Sequence, residues 1–425
     1  MVIACVIAGP PPTGHNSRDS RTEPMVTNCH QMPPPPQTPA PPPSQGGVCV
    51  LTKKRHLLDC NETPAPTALK RASGATTMKS LDLAVHDLDS LDTEALRSDL
   101  LATGIAGVRL YGPEDPVVVS YASNIDETAM LVRPDGGTAH GSRSMAGITK
   151  RWGAATHPKV WDVRLDSRAR RVFELLYGTD DVAIGCDAYV CLRNDAVRQS
   201  TKVLHTDPEK KFHQQTGGGL KPHIDINPHM ESTPGRKGEK RLAHLCPEFP
   251  LAVQGQLVLR SVPAGGATLV VAPGEHKHTH EMHFCSDQKR DFAVCTPAGY
   301  SYFDGMWRAV DSVERGVLIL WASRLPHANK LSDKGVNPER LGLFISWQPR
   351  ALVPMAEQMQ LKRQKWRAIT SGGTTDHHIN YVPGGARGHR GGHYSNKGGA
   401  SVVLFDGIDS VRFDEMKATQ VWRAL

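Results

Sequence analysis

Cys-x-x-Cys pairs are absent from this 425-residue chain. Their absence removes the ligand spacing of a zinc ribbon. The nine cysteines, at 5, 29, 49, 60, 186, 191, 246, 285 and 295, are odd in number and scattered. Such a set suits reduced thiols in an intracellular, cytoplasmic setting and gives no disulfide framework. Long apolar runs are also missing. Met1–Ala8 is apolar but has no positive n-region and stops at Gly9-Pro10, so it fits neither a signal peptide nor a bilayer span. No membrane partner is expected. The chain closes on Trp422-Arg423-Ala424-Leu425, with no C-terminal peroxisomal tripeptide. No internal repeat is visible.

Apolar residues are few, at 39%, and the shortage is concentrated at the N-terminus. Residues 1–79 hold Pro10-Pro11-Pro12, Pro33-Pro34-Pro35-Pro36 and Pro41-Pro42-Pro43. A segment of this composition cannot bury enough surface to offset its ordering entropy. It reads as a disordered tail of polyproline character. Met78, near its end, is a candidate alternative start. Residues 80–425 read as one elaborated domain with a core at about 155–350.

Strong charge is lacking as well. The net charge is +7, and residues 1–80 carry eight Lys/Arg against four Asp/Glu, so +4 lies in the tail and +3 in the remainder. That remainder gives no basic surface for nucleic acid. The cluster Lys53-Lys54-Arg55-His56 reads as a solvated basic run, with a weak nuclear or polyanion signal as the competing reading.

The ordered part alternates helix and strand signals. Leu91–Leu101 has helical spacing and runs into a strand over Gly104–Leu110. Arg168–Tyr177 reads as a helix stopped by Gly178, followed by a strand over Val182–Val190. Leu251–Leu259 alternates, turns at Pro263-Ala264-Gly265-Gly266 and returns as Ala267–Val271, which predicts a hairpin. Gly316–Trp321 and Leu341–Trp347 are further strands. A helix over Val353–Ile369 places Met355, Met359 and Trp366 on one stripe, taken as a packing face. A glycine-rich stretch, 371–400, holds His377, His378, His389 and His393, and its part near 384–399 reads either as a loop over a barrel mouth or as a segment that binds anions or nucleic acid. Many short strands with long connections predict a mainly β fold with flanking helices, a jelly roll.

The chemistry concentrates at Lys221-Pro222-His223-Ile224-Asp225. Two residues apart on an extended segment, His223 and Asp225 point to one side. With His327 from a distant strand they form the 2-His-1-carboxylate face typical of non-heme Fe(II) oxygenases. Arg340, thirteen positions beyond His327, suits a bidentate anchor for a keto-acid carboxylate. Its strand is expected to run antiparallel to the His327 strand, with Ala328–Glu339 as the connection. A rival His205-Thr206-Asp207 lies among Lys202, Glu209, Lys210 and Lys211 and reads as a solvated loop. The run His276–His283 lacks carboxylates or cysteines at structural-zinc spacing. Apart from His276 in a post-strand loop, its histidines are expected at the surface.

Ala155 to about Pro349 resembles the phytanoyl-CoA dioxygenase (PhyH-like) family of Fe(II)/2-oxoglutarate oxygenases. The residues that carry the resemblance are Lys221–Asp225, Val253–Leu259, Gly265–Lys277, Leu325–Lys330 and Arg340. It implies a double-stranded β-helix (cupin-like), Fe(2+), and 2-oxoglutarate and O2 as cosubstrates, with ascorbate as a possible reductant. His223, Asp225 and His327 match the metal ligands and Arg340 the 2-oxoglutarate anchor. By the same resemblance Gln256 falls near a family position that lines the cosubstrate pocket, and Asn329 at one that can contact the cosubstrate. The implied activity is hydroxylation of a small organic molecule. An oxygenase acting on nucleic acid or protein, and a non-catalytic metal-binding barrel, stay open as alternatives. The insertion between Asp225 and Val253, with Arg236, Lys237, Lys240 and Arg241, departs from the family pattern and is expected to shape a substrate entrance.

Overall fold

The computed structural model describes residues 78–130, 147–149, 154–193, 204–229, 234–278, 283–285, 292–370 and 415–425. The Pro-rich segment up to residue 77, the basic cluster 53–56 and the stretch 371–400 lie outside them.

Helix boundaries follow local chemistry. Helix α1 (Thr93–Thr103) is capped by the Asp92 carboxylate, which accepts from the Glu94 and Ala95 amides, and stops at Gly104 in the left-handed region (φ 80°). A side chain there is strained, and a Cβ would also meet the His276 ring at 2.6 Å. Helices α2 (Pro116–Ala129), α3 (Pro158–Arg164) and α4 (Ser167–Tyr177) follow, α4 ending at Gly178. Beyond them are α5 (Pro208–Thr216), α6 (Pro234–Leu245), α7 (Pro297–Tyr302), α8 (Met355–Thr370) and α9 (Glu415–Ala424).

The larger sheet runs β1 (Val85–Asp87), β2 (Ile105–Arg109), β12 (Val317–Ala322), β7 (Val253–Val258), β14 (Arg340–Ile345), β5 (Tyr189–Leu192) and β3 (Ile148–Thr149). The smaller runs β11 (Arg308–Ala309), β8 (Thr268–Val271), β13 (His327–Lys330), β6 (His223–Ile224), β10 (Ala293–Cys295) and β9 (Phe284–Cys285). All pairs are antiparallel except β1 with β2. A separate antiparallel pair joins β4 (Val182–Ile184) to β15 (Trp347–Pro349).

The period-two rule for strands divides the core into layers. On β12, Leu318 and Leu320 join α1, α2, α3 and α4 in the outer core, while Val317, Ile319 and Trp321 face inward. There they meet Leu269 and Val271 of β8, so the two sheets share an apolar interior. The opposite face of the smaller sheet, with Ile224, Val270 and Ala328, packs on Phe212 of α5 and Tyr300 of α7. Helices and sheets thus alternate in layers, and the fold is mixed in helix and strand.

Several sequence expectations are corrected. Val182–Val190 is two strands, β4 and β5, lying in different sheets. β7 and β8 form no hairpin. Gly265 takes positive φ (74°) and the Gly266 amide donates to the Pro263 carbonyl at 2.9 Å, so the turn forms where expected. The chain it returns crosses to the other sheet, between β11 and β13. The buried Lys330 ammonium fixes that crossing by donating to the Gly265 and Gly266 carbonyls, each at 2.9 Å. Likewise β13 and β14 lie in opposite sheets. Met355 and Met359 are exposed, at 87% and 51%. α8 packs instead through Leu361 and Ile369, with Trp366 partly buried against the same core. His283 is buried and stacks on Tyr302 with ring centres 4.1 Å apart, so it is no surface histidine. No helix among the described residues is long and apolar enough to cross a membrane. Among the described residues, Cys186, Cys191, Cys246, Cys285 and Cys295 are thiols outside any disulfide.

Candidate metal centre

The centre begins with strand register. β6 and β13 pair antiparallel with His223 directly opposite His327. Both side chains face the interior, because Ile224 and Ala328 between them fill the outer core. The two rings lie 4.2 Å apart, centre to centre. Asp225 follows β6, and its amide donates to the Ser323 carbonyl at 2.9 Å, which keeps the chain extended past the strand end. The three side chains each offer one donor atom within 4.8 Å of the others. The Asp225 carboxylate lies 3.7 Å from His223 Nε2 through Oδ1 and 3.1 Å from His327 Nε2 through Oδ2.

Backbone contacts set the orientation of both rings. His223 Nδ1 lies 2.8 Å from the Lys221 carbonyl and His327 Nδ1 lies 2.8 Å from the Leu325 carbonyl. A carbonyl only accepts, so each Nδ1 donates, and each ring turns its Nε2 edge toward Asp225. Fixing one ring nitrogen in this way is how proteins orient metal-binding histidines. An ion held at about 2.1 Å by nitrogen and oxygen spaces adjacent donors roughly 3 Å apart. Small donor movements bring this set to that spacing. Two imidazoles and one carboxylate fit ferrous iron and leave coordination positions open.

A second cluster lies in the same interior. Arg340, on β14, is fully buried, and its guanidinium donates to Asn329 Oδ1 at 2.6 Å and Gln256 Oε1 at 3.0 Å. Both partners are neutral amides. Among the described residues no carboxylate pairs with it, and burial alone pushes the guanidinium down to about 9. At neutral pH it still carries its charge, in a place where an unpaired charge is costly. A buried cation held only by neutral acceptors is suited to an incoming carboxylate. Gly342 leaves the room for this arrangement, since a Cβ there would meet the Gln256 amide nitrogen at 2.6 Å.

The structure therefore brings His223, Asp225 and His327 together, and groups Arg340 with Gln256 and Asn329. Asn329 joins the two clusters, being two positions along β13 from His327. The rival pair falls elsewhere. Asp207 caps α5 by accepting from the Lys210 amide at 2.9 Å, and His205 is exposed. His276 is buried against Gly104, and burial pushes its imidazole down to about 4. The insertion after Asp225 forms α6, whose Glu239 pairs with Arg324 at 2.5 Å. That contact ties α6 to the segment supplying the Ser323 and Leu325 carbonyls.

Sequence reasoning missed two interior residues. Gln254 on β7 donates to Asp225 Oδ2 at 2.6 Å. Trp321, its partner across the β7–β12 ladder, lies 5.9 Å from the His327 ring, with its indole N–H buried and unbonded. A signal existed for the first: Gln254 and Gln256 are amides two apart on an otherwise apolar strand, and buried amides need partners.

No protein-family profile matches the chain, and no curated protein matches it. Solved structures similar to it include the epimerase SnoN in complex with Fe3+, alpha-ketoglutarate and nogalamycin RO. That pair shares 13% identity over 61% of this chain and 84% of that one, with a TM-score of 0.38. GlcNAc Inducible Gene 2 (DUF1479) from Candida albicans shares 12% identity over 67% and 70%, at 0.43. A hypothetical protein from Escherichia coli shares 12% over 68% and 77%, at 0.44. Likeness at this level is too low to assign chemistry, which rests on this chain's own residues.

Proposed function

We propose that this chain is an Fe(II)/2-oxoglutarate-dependent dioxygenase that hydroxylates a small organic molecule. The observation that carries the reading is Arg340, buried beside the His223/Asp225/His327 set with no carboxylate among the described residues to balance it. A non-catalytic metal barrel has no use for such a cation, and a dicarboxylate keto acid supplies its missing partner. On this reading the paired sheets form a double-stranded β-helix, as the PhyH-like resemblance implies.

His223, Asp225 and His327 would hold ferrous iron, and the chemistry iron would supply there is hydroxylation of an organic substrate by O2, coupled to decarboxylation of 2-oxoglutarate to succinate and CO2. The chain's own contribution is positional. The Lys221 and Leu325 carbonyls fix both imidazoles by Nδ1 and aim Nε2 inward. Arg340 binds the distal carboxylate of the keto acid, while Gln256 and Asn329 fix the plane of the guanidinium. Trp321 and Phe344, with ring centres 6.2 Å apart, make the adjoining wall apolar and exclude water. Of the net charge of +7, only +3 lies beyond residue 80, which favours a small molecule over nucleic acid. This reading calls for a cell interior that supplies 2-oxoglutarate, with ascorbate as a reductant.

Anaerobic addition of Fe(II) and 2-oxoglutarate tests the assignment directly. A visible charge-transfer band from the chelated keto acid is expected in the wild type and not in His223→Ala. Its absence from the wild type overturns the reading.

A further inference from the structure

We infer that Gln254 is a positioning residue that fixes the turn of the Asp225 carboxylate toward the metal, an inference resting on the iron reading above. Gln254 Nε2 donates to Asp225 Oδ2 at 2.6 Å, and both side chains are buried. The two belong to different sheets, Gln254 to β7 and Asp225 to the segment after β6. Their bond therefore spans the interior, as the bond from Arg340 to Asn329 does further along.

A carboxylate two atoms from the backbone turns about one soft torsion, whose wells are broad. Untethered, Asp225 is free to present both oxygens to a cation and so cover a position that a cosubstrate needs. The backbone is already fixed, because the Asp225 amide donates to the Ser323 carbonyl. The Gln254 amide fixes what remains by occupying Oδ2. Oδ1 lies 3.7 Å from His223 Nε2 and Oδ2 3.1 Å from His327 Nε2, so the bond to Oδ2 sets the turn of the whole carboxylate against both rings.

β7 is built for this task. Its burial is complete along Val253–Val258, so each polar side chain on it needs a partner. Gln254 bonds the metal-binding carboxylate and Gln256 bonds the Arg340 guanidinium. Gly255 between them turns to the other face, where a Cβ would meet the Ile345 carbonyl at 3.0 Å. The tripeptide Gln254-Gly255-Gln256 thus sets the spacing between the metal face and the carboxylate anchor.

The test is Co(II) titration of the full chain, read by calorimetry and by the ligand-field spectrum with and without 2-oxoglutarate. Gln254→Met keeps the bulk and removes the donor. It is expected to lower Co(II) affinity by about 10- to 100-fold, the usual effect of losing an outer-shell partner, and to change the spectrum while the metal-free melting temperature holds or rises. Gln254→Glu keeps the shape and sets a second carboxylate against Asp225, so it is expected to lose more, and it carries the test if the Met variant does not fold. Wild-type affinity and spectrum in the variants overturn the inference and leave the iron reading standing. A wild type that binds no better than His223→Ala overturns the iron reading itself.

Discussion

The Arg340 guanidinium donates to the Asn329 side-chain oxygen at 2.6 Å, so a strand of the larger sheet is bonded to one of the smaller across the interior. Asn329 shares its strand face with His327, and one contact thereby couples the proposed carboxylate anchor to the candidate metal face. The pairing also predicts how the two functions separate. Arg340→Met is expected to leave metal affinity within about twofold, because no metal-facing atom changes. Hydrogen bonds to charged groups contribute about 1.5–3 kcal/mol each. Loss of a two-pronged clamp therefore lowers 2-oxoglutarate affinity by about 100-fold or more. Calorimetry with the keto acid checks both, and Arg340→Lys recovers only part, since an ammonium lacks the fork.

Gly342→Ala tests the same anchor without touching any charged group. The added Cβ meets the Gln256 amide nitrogen at 2.6 Å and the Leu257 carbonyl at 2.9 Å. Gln256 must then leave Arg340, or β7 and β14 must part. Overpacking of this kind costs about 1–3 kcal/mol. The expected result is a lower melting temperature together with about tenfold weaker 2-oxoglutarate binding and unchanged metal affinity.

The two His-x-Asp sequences separate by substitution. Asp207→Ala removes a helix cap and costs about 1 kcal/mol of stability, with no change in metal binding. Asp225→Ala removes the only charged donor of the metal face and is expected to abolish binding. Chemical denaturation and metal titration of both variants distinguish the roles. Equal metal affinity in Asp225→Ala and the wild type would place the ion elsewhere.

Lys365 on α8 gives a pH prediction. It is fully buried, and burial pushes its ammonium down to about 7. The unfolded chain then binds a proton that the folded protein does not, over the range from about 7 up to the ordinary lysine value. Stability linked to this group therefore rises with pH across that window and is lost as pH falls toward 7. Lys365→Met is expected to raise the melting temperature near pH 7 and to flatten its rise toward pH 10. A steeper slope in the variant contradicts the assignment.

Much of the site was legible because its determinants are local. His223 and Asp225 show themselves by spacing, and Gly178 and Gly104 show where helices stop. What was not legible depends on long-range pairing. Gly265 announces a turn, yet a turn says only that the chain reverses and not which sheet takes the returning strand. β7 and β8 were therefore read as partners although each pairs elsewhere. The Met355/Met359 stripe failed for a similar reason: helical spacing shows that residues share a face, not that the face meets the core. Gln254 was passed over because an amide in a strand looks neutral until the carboxylate it serves is brought to it by the opposite sheet.

The central claim is that His223, Asp225 and His327 together with Arg340 support coupled oxidation, and succinate release tests it most directly. Full-length protein with Fe(II), 2-oxoglutarate and air is compared with an anaerobic control and with His223→Ala. The account predicts oxygen-dependent succinate from the wild type and only background from the variant. Succinate that never exceeds the His223→Ala level, with iron bound and a broad range of small organic molecules supplied, contradicts it.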